Sequence, residues 1–142
     1  MGDNNNMNSN IVNRYKKIFN ETELDIDTLL VMNTDIADAN FKYLTGFTSG
    51  LFEYSYLIVE KGHSTLITNS LEYETAKTMK PNIMDIIKAE TGDEARNILK
   101  KRLENKKVGI NEKFISISSY KELKKINAKF IDASETLSKA RS

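Results

Sequence analysis

The run "NFKYLTGFTSGLFEYSYLIVEKGHSTLITNSLEYETAK", residues 40–77, decides how the fold is read. It opens on a short turn signal, "YLTGF" (43–47), followed by a second glycine, Gly50. Then "YSYLIVEKGHSTLIT" (54–68) places two β-rich runs on either side of "KGHS", the pattern of an antiparallel hairpin. Asn69, with Glu72 three residues later, forms a capping-box pattern that predicts a helix to about Met79. A hairpin that runs directly into a helix points to a layered domain of mixed type.

Working outward, "TLLVMN" (28–33) is a short continuous apolar run, as expected of a strand buried on both faces. Between it and the hairpin, Ala37 to Leu44 reads as a short helix or turn ended by Gly46. Upstream, Ile11, Tyr15, Ile18 and Phe19 recur at helical spacing and predict an amphipathic helix over Ser9 to Thr22. Downstream, three more capping patterns mark helix starts: Thr91 with Glu94, Ser119 with Glu122, and Asp132 with Glu135. In the helix opened at Thr91, residues Ala95, Ile98, Leu99 and Leu103 share one face. Strand candidates lie between: "IMDIIKA" (83–89), "KVGIN" (107–111) and "KFIDA" (129–133). Strands alternating with helices predict an α/β domain with a mixed, mainly parallel sheet of about six strands flanked by helices. The hairpin supplies the antiparallel pairing.

The 142 residues suit one domain, expected over 11–142, after a flexible Asn-rich leader over 1–10. Twenty-one Lys and Arg against 20 Asp and Glu leave a formal charge of +1, which gives no electrostatic footprint for nucleic acid. The longest apolar runs, "LLVM" and "YLIV", are far too short to cross a bilayer, and the first ten residues lack the apolar stretch of a signal peptide. There is no cysteine, which excludes disulfides, thiolate zinc sites and cysteine nucleophiles. A cytoplasmic setting is expected, with no nucleic-acid or membrane partner.

Candidate chemistry is sparse. His63, the only histidine, falls in the expected hairpin turn, where an exposed role suffices; a zinc site would need carboxylate help. Asp35, Asp38 and Asp132 could meet at one sheet edge, as carboxylates do in some magnesium-dependent nucleases. Capping and turn roles explain them more simply. No P-loop, G-x-S-x-G elbow or G-x-G-x-x-G is present. The charged run "ILKKRLENKK" (98–107) alternates in sign at helical spacing and reads as a solvated helix face.

Taken in order, "DTLLVMN", "NFKYLTGFTSG", the hairpin and "SLEYETAK" with its E-x-x-x-A helix resemble the N-terminal domain of the creatinase, prolidase and aminopeptidase P family. "KVGINEKFISISSYKEL" and "KFIDASETLSKAR" are similar to that domain's later segments, so the resemblance spans Ile11 to Arg141. It implies a fold with a ribonuclease-H-like motif and no catalytic residue in this chain. It also implies a separate C-terminal catalytic domain of pita-bread fold, holding two divalent metal ions such as Mn, Co or Zn, for Xaa-Pro dipeptidase or aminopeptidase chemistry. Short proline-containing peptides would be the substrates, the parent would be a homodimer, and this domain would aid its dimerisation and shape substrate access. In that setting the loop Gly46, Phe47, Thr48, Ser49, Gly50, Leu51 and Phe52, extending to Glu53, is the candidate surface for substrate access, with Phe47 and Phe52 offering apolar contact. Alternatives are an interaction module of a metal-free pseudoenzyme, the N-terminal domain of a creatinase-like amidinohydrolase, and an independent nuclease of ribonuclease-H-like architecture.

Overall fold

The computed structural model describes residues 2–142, with side chains from Asn8 onward. Six strands are present among the described residues: β1 (Thr28–Met32), β2 (Tyr56–Glu60), β3 (His63–Thr68), β4 (Met84–Lys88), β5 (Lys107–Ile110) and β6 (Lys129–Asp132). Six helices accompany them: α1 (Gly2–Glu21), α2 (Ala39–Thr45), α3 (Ser70–Met79), α4 (Gly92–Leu103), α5 (Ile117–Leu123) and α6 (Ser134–Arg141). The strands form one sheet in the order β4-β3-β2-β1-β5-β6. Strand β2 is antiparallel to both neighbours, while β1–β5, β5–β6 and β3–β4 pair in parallel. All strands except β2 therefore point the same way, and the expected mixed, mainly parallel α/β sheet is what forms.

Side chains alternate across a strand, so each strand feeds two cores. On face one, Leu29, Val31, Leu57, Val59, Leu66 and Met84 meet α1, α2, α3 and α6 through residues such as Tyr15, Phe41, Ala76 and Leu137. On face two, Leu30, Ile58, Ile67, Val108 and Ile110 meet α4 and α5 through Leu99, Leu103 and Leu123. The result is a three-layer sandwich. Its continuous apolar strand runs are explained by burial on both sides.

Several boundaries differ from expectation for local reasons. Helix α1 begins at Gly2, ahead of the expected Ser9. Met1 lies outside the described residues, and Asn8 accepts a hydrogen bond from the Asn82 amide, which ties this end of α1 to the domain. The hairpin turn is only Lys61–Gly62, because Glu60 already pairs with His63. Helix α5 is capped by Ser116, which accepts from the Ser119 amide; the expected cap, Ser119, is inside the helix. Helix α6 has Ala133 at its N-cap with no side-chain cap. Asp132, the expected cap, accepts from the Ser134 amide and hydroxyl instead. At Asn69 and Thr91 the capping bonds to Glu72 and Glu94 amides form as predicted.

Candidate functional site

The segment joining α2 to β2 carries the residues singled out for substrate access. Asp38 starts α2 by accepting from the Asn40 amide. Gly46 ends it in the left-handed conformation, φ 73°, a position that favours glycine. The chain then turns back across face one. Phe47 and Phe52 drop into the core and pack with Phe41 in edge-on and tilted contacts, at centroid distances of 6.2, 5.5 and 5.0 Å around the trio. Between them, Thr48, Ser49, Gly50 and Leu51 are exposed, Leu51 to 72%.

Phe47 and Phe52 are 5% and 1% exposed and belong to the face-one core, and both also border the cavity of about 300 Å³ beside the loop. Burying two such side chains stabilises the loop's attachment by roughly 1.5–3 kcal/mol each. The loop's free surface is thus the four residues between the two rings. Of the expected set, the structure brings all seven into one loop, four outward, two inward and Gly46 at its root.

Polar contacts hold the frame on both sides. Glu72, in the first turn of α3, accepts from the Phe52 amide at 3.2 Å. Ala76, one turn on, is fully buried on face one. The E-x-x-x-A pattern is therefore a packing and clamping pattern: an acid to receive the loop, and a small residue where helix meets core. Buried Asn33, directly after β1, donates its side-chain amide to the Phe52 carbonyl and accepts from the Asp38 amide. Gly50 sits at φ 90°, and a Cβ there would lie 2.5 Å from the Phe52 ring and 3.0 Å from the Glu72 carboxylate. Beside the loop is a cavity of about 300 Å³ that reaches from Asp38 and Phe41 to Leu51.

The other expected site residues are separated by their own tasks. Asp38 is buried and also accepts from the Asn111 side chain. Asp132 is opposed by burial, but the hydrogen bonds from Ser134 and the Glu112 amide outweigh it, so its carboxyl titrates below the ordinary value. Asp35 is exposed and accepts from Thr34. Among the described residues, no three His, Asp or Glu gather to hold a metal ion. His63 bonds to Asp85 at 3.0 Å, across β3 and β4. Sequence reading missed Tyr15 as a polar anchor: its buried hydroxyl donates to the Leu44 carbonyl and meets the Ser64 hydroxyl. Its position in a helical apolar stripe gave no hint of the partner, which lies 49 residues away.

The model of the Creatinase/Prolidase N-terminal domain family matches residues 12–142. Among solved structures, a Xaa-Pro dipeptidase from Bacillus anthracis superposes with a TM-score of 0.73 at 21% identity, over 94% of this chain and 36% of that one. The Creatine_N superfamily domain of a dipeptidase from Streptococcus thermophilus gives 0.70 at 15%, over 91% and 96%. Prolidase from Pyrococcus furiosus gives 0.65 at 25%, over 87% and 34%. This chain thus spans about a third of the length of the Bacillus and Pyrococcus enzymes. No curated protein matches it. No helix among the described residues is long and apolar enough to cross a membrane.

Proposed function

Because the chain belongs to the creatinase/prolidase N-terminal domain family, we propose that it is the non-catalytic N-terminal domain of a Xaa-Pro dipeptidase- or aminopeptidase-type hydrolase. The parent's dinuclear metal centre, with ions such as Mn, Co or Zn, would reside in a C-terminal catalytic domain, and the parent would act as a cytoplasmic homodimer. The residues described here do not suit such a centre, since their acids are scattered and committed to structural hydrogen bonds. No chemical step is therefore assigned to them.

The observation that carries the reading is the construction of the 46–52 loop. Two buried phenylalanines and the Glu72 and Asn33 clamps fix its ends, so Thr48, Ser49, Gly50 and Leu51 project as a rigid rim. A rigid rim beside an active site would select short proline-containing peptides by excluding longer ones, since no reordering is needed to keep it in place.

Two experiments test this. The 142-residue chain, supplied with Mn²⁺ and the dipeptide Ala-Pro, should release no proline; clear turnover overturns the non-catalytic assignment. In the full-length parent, replacing residues 48–51 with Gly-Gly-Ser-Gly should raise kcat/KM for tetra- and pentapeptides and leave the dipeptide value near unchanged. An unchanged ratio removes the access role. Sizing of the isolated chain shows whether the dimer contact resides in it, and a strict monomer assigns that contact to the catalytic half.

A further inference from the structure

The β1 and β5 strands are adjacent and parallel, yet their following connections leave on opposite faces. After β1 the chain goes to α2, whose Phe41 and Leu44 pack on face one; after β5 it goes to α5, whose Leu123 packs on face two. Such a divergence opens a crevice outside the carboxyl ends of the strands, the place where open α/β sheets bind ligands. Next to it, on face two, a pocket of about 430 Å³ opens beside the last residue of β1, Met32, between α4 and α5, and takes no residue from β5. A second of about 360 Å³ shares Met32, Thr34 and Ser119 and extends the space to Phe114 beyond β5. Neither includes any residue of the 46–52 loop.

The pocket's chemistry is selective. Its floor is apolar, with Met32, Leu99, Leu123 and Ile126. Its walls carry three cations, Arg96, Lys100 and Lys125, against one carboxylate, Glu122. Lys125 is spent on Glu122 at 2.9 Å, and Arg96 is bonded to Asp93 at the pocket's margin. Lys100 has no ion-pair partner among the described residues. The surplus is one positive charge next to an apolar floor. Tyr54 stands at the mouth, 64% exposed and held at φ 52°, a left-handed conformation disfavoured for its side chain. Exposed aromatic surface and local backbone strain together at a pocket are features of ligand sites.

We propose that this crevice binds a small organic anion: one carboxylate facing Lys100 and an apolar or aromatic body lying over Met32 and Leu99 beneath Tyr54. The assignment is independent of the access role of the 46–52 loop, which lies on the other face. The test uses 3-phenylpropanoate and its neutral amide, titrated into ¹⁵N-labelled chain while backbone amide shifts are followed. The acid should give saturable shifts confined to residues 32–34, 96–100 and 118–126, and the amide should bind at least about tenfold more weakly, the scale of one charge-assisted contact. Lys100→Ala should weaken the acid by a similar factor and leave the amide unaffected; Lys42→Ala, on α2, should change neither. Absent or non-saturable shifts, shifts centred on residues 46–52, or equal binding of acid and amide would each overturn the proposal.

Discussion

The loop over face one and the crevice on face two are built from opposite materials. The loop rests on fully buried aromatic rings and on hydrogen bonds to buried or half-buried partners. The crevice is walled by exposed charged side chains of α4, α5 and the turn after α5, and its ion pairs, Arg96–Asp93 and Lys125–Glu122, face solvent. Buried packing is costly to disturb, whereas exposed ion pairs contribute about 0–1 kcal/mol. The lesson is that one region holds its shape through the core of the domain, while the other has side chains free to serve a ligand. Substitutions can break that contrast or sharpen it.

The largest effect should come from Phe52→Ala. The ring is 1% exposed and touches both Phe41 and Phe47. Truncation leaves a cavity under the loop and should cost about 3–5 kcal/mol in urea unfolding. A cost under about 1 kcal/mol would mean the loop is not anchored as described. Next comes Gly109→Ala in β5. A Cβ there would stand 2.9 Å from both Ala133 Cβ and Leu29 Cδ2, so face one has no room for it. Overpacking of this kind should cost about 1–3 kcal/mol. By contrast, Lys100→Ala in the crevice should leave the unfolding midpoint unchanged.

Tyr15→Phe probes the same core through a buried polar anchor. The variant keeps the ring but leaves the Leu44 carbonyl and Ser64 hydroxyl short of a partner, at an expected cost of about 1–3 kcal/mol. It also changes the alkaline limb. Burial pushes the Tyr15 hydroxyl well above its ordinary value, against the smaller opposing effects of Ser64 and Arg14. A pKa raised in the folded state contributes stability that is complete below the unfolded value, near 10, and is lost as pH rises beyond it. The wild-type chain should therefore lose stability above about pH 10, and the phenylalanine variant should lose less over the same range. Equal slopes would show that the hydroxyl does not remain protonated in the folded state.

How much of this was legible in the sequence follows from the range of each interaction. The β-rich runs around Lys61–Gly62, the caps at Asn69 and Thr91 and the stop at Gly46 are set within a few residues, and each forms. Caps failed where a competing residue was nearer the start, as at Ser116, or where the carboxylate served a neighbouring loop, as at Asp132. The loop forms one run of sequence, but the direction of Phe47 and Phe52 was open there, because an aromatic residue in a loop can point either way until Phe41 is placed beneath it. The crevice was invisible for the same reason in reverse. Arg96 and Lys100 belong to a helix whose outer face reads as solvated, and only the fold brings Met32 and Tyr56 to its side.

A small effect on stability, and the sharpest test of the comparison, is expected at Tyr54, where the two regions meet. Tyr54 ends the segment that begins at Gly46, yet its exposed side chain lines the crevice. Its amide donates to the Thr34 carbonyl at 3.0 Å, a bond that glycine retains. Tyr54→Gly relieves a left-handed conformation that disfavours a side chain by about 1–2 kcal/mol. It also gives the unfolded chain more freedom, at about 0.4–1 kcal/mol. These terms nearly offset, so the variant should unfold within about 1 kcal/mol of wild type, on the stabilised side. If the strain is kept to hold an aromatic ring over the crevice, the same variant should bind 3-phenylpropanoate more weakly while its loop stays protected in hydrogen exchange. A variant destabilised as much as Phe52→Ala would place Tyr54 with the core, and the contrast between the two faces would end at Glu53, short of the crevice.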